Sequence, residues 1–310
     1  MNGVDKVKKA LLIGGTGFAG QHMSQLLSLD YLVTVVGSDH DVCDKEQIFS
    51  LVQKENPDVV VNMAFITTVR ETFADPDKAF QTGYFGMLNL ISALKNYSFK
   101  GSLLNVSSSE VYGHPDYTSL PLDELAPLRP MSPYSVTKIA TEALCFQKSQ
   151  TEGIKIVTAR PFTHIGPGQS GRFALSSFSK QIAEILLGIR DPVIMVGSLD
   201  STRDITDVRD VVRAYKLLLE QGFNGEIYNI CSGHEVTMQS LLEKLISKSG
   251  MEIRIVQDNK LMRGFEQKRI CGNYQKLKQR TGWQPEITID QTLMDMIDSW
   301  KLSIRKSGNF

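Results

Sequence analysis

The feature that most restricts how this chain can fold is an alternation. Short apolar runs rich in β-branched residues, at 10–13, 31–36, 58–62, 102–106 and 155–159, are separated by segments with helical spacing at 21–29, 45–56, 81–95 and 134–151. Runs so short and so apolar read as strands buried on both faces. Strands that alternate with helices build parallel βαβ units. A further helix and strand, 208–221 and 226–231, re-enter the sheet after an interruption at about 166–206. That interruption is richer in Gly, Ser and Phe and holds the loop-like Gly166-Pro-Gly-Gln-Ser-Gly171. An amphipathic segment at 236–249, a strand-like 252–256 and a closing helix from 290 to about 303 follow. The expected fold class is α/β. A doubly wound parallel sheet would be formed by 1–165 plus 205–235, with a smaller discontinuous C-terminal lobe, 166–204 plus 236–310, over its open end.

Charge and cysteine usage narrow the function. The 34 basic and 34 acidic residues cancel, so the chain lacks the electrostatic footprint of a nucleic-acid binder. Cys43, Cys145, Cys231 and Cys271 lie far apart without metal-ligand spacing. Reduced, buried thiols and no metal site are expected. The N-terminal apolar run breaks at Gly14, too short for a signal-peptide core, and no stretch reaches the ~18 apolar residues of a membrane span. The expectation is a cytoplasmic protein that acts on small molecules, with neither nucleic acid nor membrane as partner.

Three local patterns carry chemistry. Gly14-Gly-Thr-Gly17-Phe-Ala-Gly20 follows the first run and opens a helix. There a backbone can turn tightly, approach a pyrophosphate and offer helix N-terminal amides to negative charge. A turn that merely needs positive φ would also use glycine, but the strand before and the helix after favour a cofactor site. The second run ends in Gly37-Ser38-Asp39-His40, without arginine. An acidic residue at this place grips an adenosine ribose, whereas an arginine favours the 2′-phosphate. Asp39 can serve NAD, or Ser38 with His40 can accept a phosphate, and both readings stand. Asp41 either reaches the adenine or belongs to an acidic segment, 41–44, that caps the next helix.

Tyr134-Ser-Val-Thr-Lys138, after Pro133, sets a phenol and an ammonium four residues apart on one helical face. A nearby positive charge stabilises phenolate, lowering the tyrosine pKa from about 10 toward the working pH and making it a usable acid or base. Such pairs also occur on solvated helices. The serine cluster Ser107-Ser-Ser109 tips the reading toward catalysis, because it ends the preceding strand at the carboxyl edge where open parallel sheets bind ligands.

Together these residues resemble the short-chain dehydrogenases/reductases, in the extended branch that modifies nucleotide-sugars, and the resemblance covers nearly the whole chain. It rests on Gly14-x-x-Gly17-x-x-Gly20, Asn62-Met-Ala64, Ser107-Ser-Ser-Glu-Val-Tyr-Gly113, Tyr134-x-x-x-Lys138, Arg160-Pro161-Phe162 and Arg203-Asp204. Within that branch the chain is most similar to the GDP-4-keto-6-deoxy-mannose reductases, through Arg129-Pro-Met-Ser-Pro-Tyr134, His164-Ile-Gly-Pro-Gly-Gln169 and Arg203-Asp-Ile-Thr-Asp-Val-Arg-Asp210. The resemblance implies a Rossmann-like dinucleotide-binding domain, a lobe that binds the nucleotide-sugar, and NADP or NAD as cofactor. Cofactor contacts would come from Gly14, Thr16, Gly17, Phe18, Gly20, Ser38, Asp39, Asp41, Val42 and Ala64, with Tyr134 and Lys138. Ser108 would hydrogen-bond the sugar carbonyl oxygen and Tyr134 would protonate it. Lys138 would lower the tyrosine pKa and hold the nicotinamide ribose while hydride passes to the sugar C4. Ser109, Thr163, Arg203, Arg263 and Glu266 would contact substrate, with Arg203 on the diphosphate. The competing reading makes Ser108 a strand-end cap and the arginines solvated surface charges.

Three positions depart from the family pattern. Gly83 stands where an asparagine is usual near the cofactor, Thr163 where an asparagine is usual before His-Ile-Gly-Pro-Gly, and Gly264 where a proline would follow the arginine. Glu110 joins the catalytic set because in related 4,6-dehydratases a glutamate at this place removes the C5 proton. Against dehydration, the first loop reads Gly17-Phe-Ala-Gly20 rather than Gly-Gln-Asp-Gly, and the chain is shorter than the GDP-mannose dehydratases. The expected activity is NAD(P)H-dependent reduction of the C4 carbonyl of a 4-keto-6-deoxy nucleotide-sugar, GDP-linked. A 4-epimerase or a 4,6-dehydratase is the alternative, and a dinucleotide-sensing regulator would not need the Ser108, Tyr134 and Lys138 set. As in relatives, the helices at about 81–95 and 134–151 would pair in a homodimer, although helices packed inside their own domain give the same apolar pattern.

Overall fold

The apolar runs become the strands of one parallel sheet. In the computed structural model, which describes residues 7–65, 69–261 and 267–308, the first half runs β1 (Lys9–Ile13), α1 (Phe18–Leu27), β2 (Leu32–Val36), α2 (Lys45–Glu55), β3 (Val59–Asn62), α3 (Val69–Ala74), α4 (Pro76–Phe80), α5 (Gly86–Asn96), β4 (Ser102–Val106), α6 (Pro133–Thr151) and β5 (Lys155–Pro161). The second half adds β6 (Thr163–Ile165), α7 (Ala174–Leu186), β7 (Val193–Val196), β8 (Thr202–Asp207), α8 (Val208–Gln221), β9 (Ile227–Ile230), β10 (Glu235–Thr237), α9 (Met238–Ser249), β11 (Arg254–Gln257), α10 (Gln275–Thr281) and α11 (Ile289–Lys306). The main sheet has the order β2-β1-β3-β4-β5-β9, and each neighbouring pair is parallel. The chain moves outward from β1 to β2 and then returns to β3. Loops on either side of that reversal diverge, which opens a crevice at the carboxyl edge of the sheet.

Successive residues of a strand face opposite sides, and both sides of this sheet are covered. Leu12 joins Met23, Leu27, Val211, Tyr215 and Leu218 on the α1 and α8 side. Its neighbours Leu11 and Ile13 join Ile48, Val52, Leu90 and Leu94 on the α2 and α5 side. A separate cluster of Phe178, Ile182, Leu241, Leu245, Leu293 and Met296 is built from α7, α9 and α11. Two small sheets flank it, β10-β8-β6 and β11-β7. The start of α6 is set by Ser132, whose side chain accepts from Ser135 N in a reciprocal capping box, with Pro133 in the first turn. This fixes Tyr134 at the mouth of the helix.

Two expectations need correction. β2 is not buried on both faces, since Leu32 and Val35 are 59% and 39% exposed. It is an edge strand, with β1 as its single neighbour in the sheet. The segment 81–95 does not begin as an α-helix but as a π-helical turn, Gln81–Phe85. The segment 166–171 is a loop as expected, and the rest of the stretch to 206 contains α7, β7 and most of β8. Among the described residues no helix is long and apolar enough to cross a membrane.

Candidate active site

The residues expected to hold the cofactor lie at the ends of β1, β2 and β3. Gly14 has φ +78°, and a Cβ there would lie 2.6 Å from Ala64 N, so only glycine lets these two loops touch. Gly14 N and Gly15 N both donate to Val36 O, at 2.9 and 3.1 Å. Gly17 is the N-cap of α1 and no side chain caps that helix, which leaves its first amides for an anion. Thr16 and Gly17 are exposed, Gly20 is buried, and Phe18 stacks on His164 with centroids 6.1 Å apart. These features fit a dinucleotide pyrophosphate. Ser38 and Asp39 are exposed beyond β2. The Asp39 carboxylate accepts from Gly37 N at 3.0 Å and meets His40 Nδ1 at 2.9 Å, and the Gly37 amide leads in holding it below the usual carboxylate range. Asp41 accepts from Cys43 N at 2.9 Å. The cap of α2 is Asp44, so the capping role lies within the acidic segment but not at Asp41. Asn89 of α5 donates to Val42 O and Cys43 O, both at 3.2 Å, which pins the loop carrying Val42.

The groups expected to react gather where β4 ends. Ser107 N donates to Ala159 O at 2.8 Å, and a 3-10 turn, Ser109–Tyr112, follows. Ser108 Oγ accepts from Glu110 N at 3.2 Å, so Ser108 does cap this turn. The same hydroxyl also faces Tyr134, and the two roles coexist. Ser109 is buried beside it. Lys138, one turn beyond Tyr134, is buried and donates from Nζ to Val106 O at 2.7 Å. Burial pushes the Tyr134 hydroxyl up to about 12, the Ser108 hydroxyl opposes that rise, and the Glu110 carboxylate adds to it. Burial lowers Lys138 to about 8, against the pull of Glu142. The expectation that Lys138 brings Tyr134 toward phenolate is therefore corrected. In this structure the ammonium sits on a carbonyl and on the ring of Phe65, and burial, not Lys138, sets the direction in which Tyr134 is moved.

A buried network behind α6 escaped the sequence reading. Arg160 Nη2 lies 2.6 Å from Glu142 Oε2 and its Nε donates to Glu142 Oε1 at 2.9 Å. Ser107 Oγ donates to the same carboxylate at 2.5 Å, and Arg160 Nη1 donates to Tyr112 OH at 3.0 Å. One signal was available, since Glu142 follows Lys138 by one helical turn. The pair anchors α6 to β5 and places a carboxylate near Lys138.

Two of the residues expected to contact substrate, Thr163 and Arg203, lie on the small sheet. Thr163 pairs in register with Ile205, and Arg203 with Val236. Arg203 Nη1 donates to Thr202 O and to Gln267 O, both at 2.7 Å, so this guanidinium is positioned rather than loose on the surface. Arg263 and Glu266 lie outside the described residues. The four cysteines are free thiols. Cys43 departs from the expected burial and is half-exposed, because it sits in the cofactor loop and not in a core.

Comparison with known proteins agrees with this geometry. The family described as GDP-mannose 4,6 dehydratase matches residues 33–296. A GDP-6-deoxy-D-mannose reductase from Pseudomonas aeruginosa is 38% identical over 96% of this chain and 99% of its own. A UDP-glucose 4-epimerase from Streptococcus mutans is 25% identical over 96% of this chain and 97% of its own. The solved structure of RMD from Pseudomonas aeruginosa complexed with NADPH superposes with a TM-score of 0.89 at 38% identity, covering 96% of this chain and 100% of that one. The chain belongs to the GDP-mannose 4,6 dehydratase family of the short-chain dehydrogenases/reductases.

Proposed function

We propose that this protein reduces the C4 carbonyl of a GDP-linked 4-keto-6-deoxy sugar with NADPH or NADH. The observation that carries the reading is Tyr134 facing Ser108 at the carboxyl edge of the sheet, in a chain similar along its length to a reductase of this name. A bound reduced nicotinamide supplies the hydride. Ser108 and Tyr134 direct their hydroxyls at the carbonyl oxygen, where negative charge develops, and Tyr134 gives up its proton there. Lys138 holds a ribose hydroxyl. Gly14, Thr16, Gly17, Phe18 and Gly20 hold the pyrophosphate, and Ser38, Asp39, Asp41, Val42 and Ala64 the adenosine side. Thr163, Ser109 and Arg203 take the nucleotide-sugar, the planar guanidinium fork suiting its diphosphate.

On this reading residues 1–165 plus 205–235 form the dinucleotide-binding domain, and 166–204 plus 236–310 the substrate lobe. The protein works in the cytoplasm as a homodimer, paired through α5 and α6. The exposed Phe85, Val136 and Phe146 on and beside these helices support that face, and light scattering at twice the chain mass would test it. Glu110, whose charge acts on Tyr134, favours dehydration as a second reading.

One assay separates the two. A reductase consumes one nicotinamide per sugar, whereas a dehydratase returns the hydride in each cycle. Incubation with a GDP-4-keto-6-deoxy sugar and excess NADPH or NADH should give stoichiometric loss of the reduced cofactor. Conversion of an ordinary GDP-hexose to a keto product, without net cofactor change, would overturn the reductase reading.

A further inference from the structure

Phe65 is the residue of this site that no motif predicts. Its ring meets Tyr134 edge-on, with centroids 4.9 Å apart at 88°, and lies 4.3 Å from Lys138 Nζ. The same ammonium is 5.6 Å from the Tyr134 ring. One aromatic side chain thus touches both members of the pair. Its place exists because of Gly83, in the buried part of the π-helical turn. A Cβ on Gly83 would lie 2.2 Å from Phe65 Cε2 and 2.6 Å from Thr137 Cγ2. No side chain fits at position 83 while the ring stays where it is. π-Helical turns inside helices recur at functional sites, and this one removes a side chain from the wall beside Lys138.

We propose that Phe65 is a positioning residue for the Tyr134–Lys138 pair, its π face stabilising the buried ammonium and its edge fixing the phenol, with Gly83 supplying the space that admits it. The proposal rests on the assignment of that pair as the reacting groups. A buried ammonium needs compensation, and Lys138 has one carbonyl partner among the described residues. A ring face offers negative potential without using up a donor, so donor capacity remains for a ribose hydroxyl. The other groups around the pair are Glu142 and Cys145 on α6, Glu110 and Ser108 after β4 and Tyr215 on α8, and Arg160 on β5, which binds Glu142. The remaining carboxylate nearest the ammonium is thus already paired, and removal of the ring is felt by Lys138.

The test uses the full chain with Phe65→Leu, Phe65→Tyr, Gly83→Ala and the double variant Gly83→Ala/Phe65→Leu, each checked for folding by its thermal transition. NADPH binding is followed by fluorescence from pH 6 to 10, and turnover over the same range. In Phe65→Leu the basic inflection should fall by about one pH unit, the size of a lost cation–π contact. Phe65→Tyr should restore it. Gly83→Ala, which displaces the ring, should resemble Phe65→Leu, and the double variant should be no worse than Phe65→Leu alone. An unmoved inflection in Phe65→Leu, or no restoration by Phe65→Tyr, overturns the proposal. Binding is read without any sugar. A shifted binding profile in an enzyme that does not turn over the keto-sugar supports the role of Phe65 and counts against the reductase reading alone.

Discussion

Tyr134 and Lys138 sit in one site and are moved by burial in opposite senses. The phenol rises to about 12 and the ammonium falls to about 8, so near neutrality both carry their protons. On the proposed reading the phenol delivers a proton to the alkoxide that forms at C4, and burial, which favours the neutral phenol, keeps that proton in place until then. Tyr134→Phe removes the proton while the ring can still pack against Phe65. The variant should bind NADPH as the wild type does and lose ~10²–10⁴-fold in kcat, the usual share of a positioned acid. Near-normal turnover would remove Tyr134 from the mechanism.

At the scale of elements, α6 carries the burden of the site, and part of its logic was readable in advance. The four-residue spacing of Tyr134 and Lys138 and the serines ending β4 are local patterns, so they survive in one dimension. The Glu142–Arg160 pair does not, because its partners lie on different elements and a lone charge in sequence reads as surface. Phe65 was invisible for a similar reason, since its meaning depends on the absence of a side chain at Gly83. α7 was hidden by composition. Its buried Ser176 and Ser179 look like loop residues, yet Ser176 Oγ donates to Gln169 O at 2.6 Å and Ser179 Oγ to Leu175 O at 2.9 Å, so a helix can bury them. The charge inside α6 has a measurable consequence. Between pH 8 and about 10.4, the usual lysine value, the unfolded chain binds a proton that the folded chain does not. The wild type therefore gains stability as pH rises through that window, and Lys138→Met does not. Below it the buried ammonium costs up to about 3 kcal/mol. The Tm of Lys138→Met minus that of the wild type should be largest at pH 7 and shrink by several degrees as pH approaches 10.4. A constant difference across the range would mean that Lys138 ionises as freely in the fold as outside it.

On the proposed reading the whole molecule divides its work between the main sheet, at whose edge the reacting groups lie, and the small sheet of β6, β8 and β10, which carries Thr163 and Arg203. The two are joined through short covalent links. β5 runs into β6 within two residues, and β8 runs directly into α8, which packs on the main sheet. On the proposed reading, a substrate held by Thr163 and Arg203 is therefore set at a fixed distance from Ser108 and Tyr134. Arg203 is itself held by Thr202 O and Gln267 O, so its planar group is oriented before substrate arrives. Arg203→Lys keeps the charge but replaces a fork with a point donor that cannot satisfy two oxygens at once. Because the contact is remote from C4, it should bind the ground state and the transition state about equally. KM for the nucleotide-sugar should then rise by ~10-fold or more, with kcat changed much less and the Kd for NADPH unaltered. Loss of kcat at constant KM would instead place Arg203 at the reacting carbon, and unchanged kinetics would return it to a purely structural part in β8.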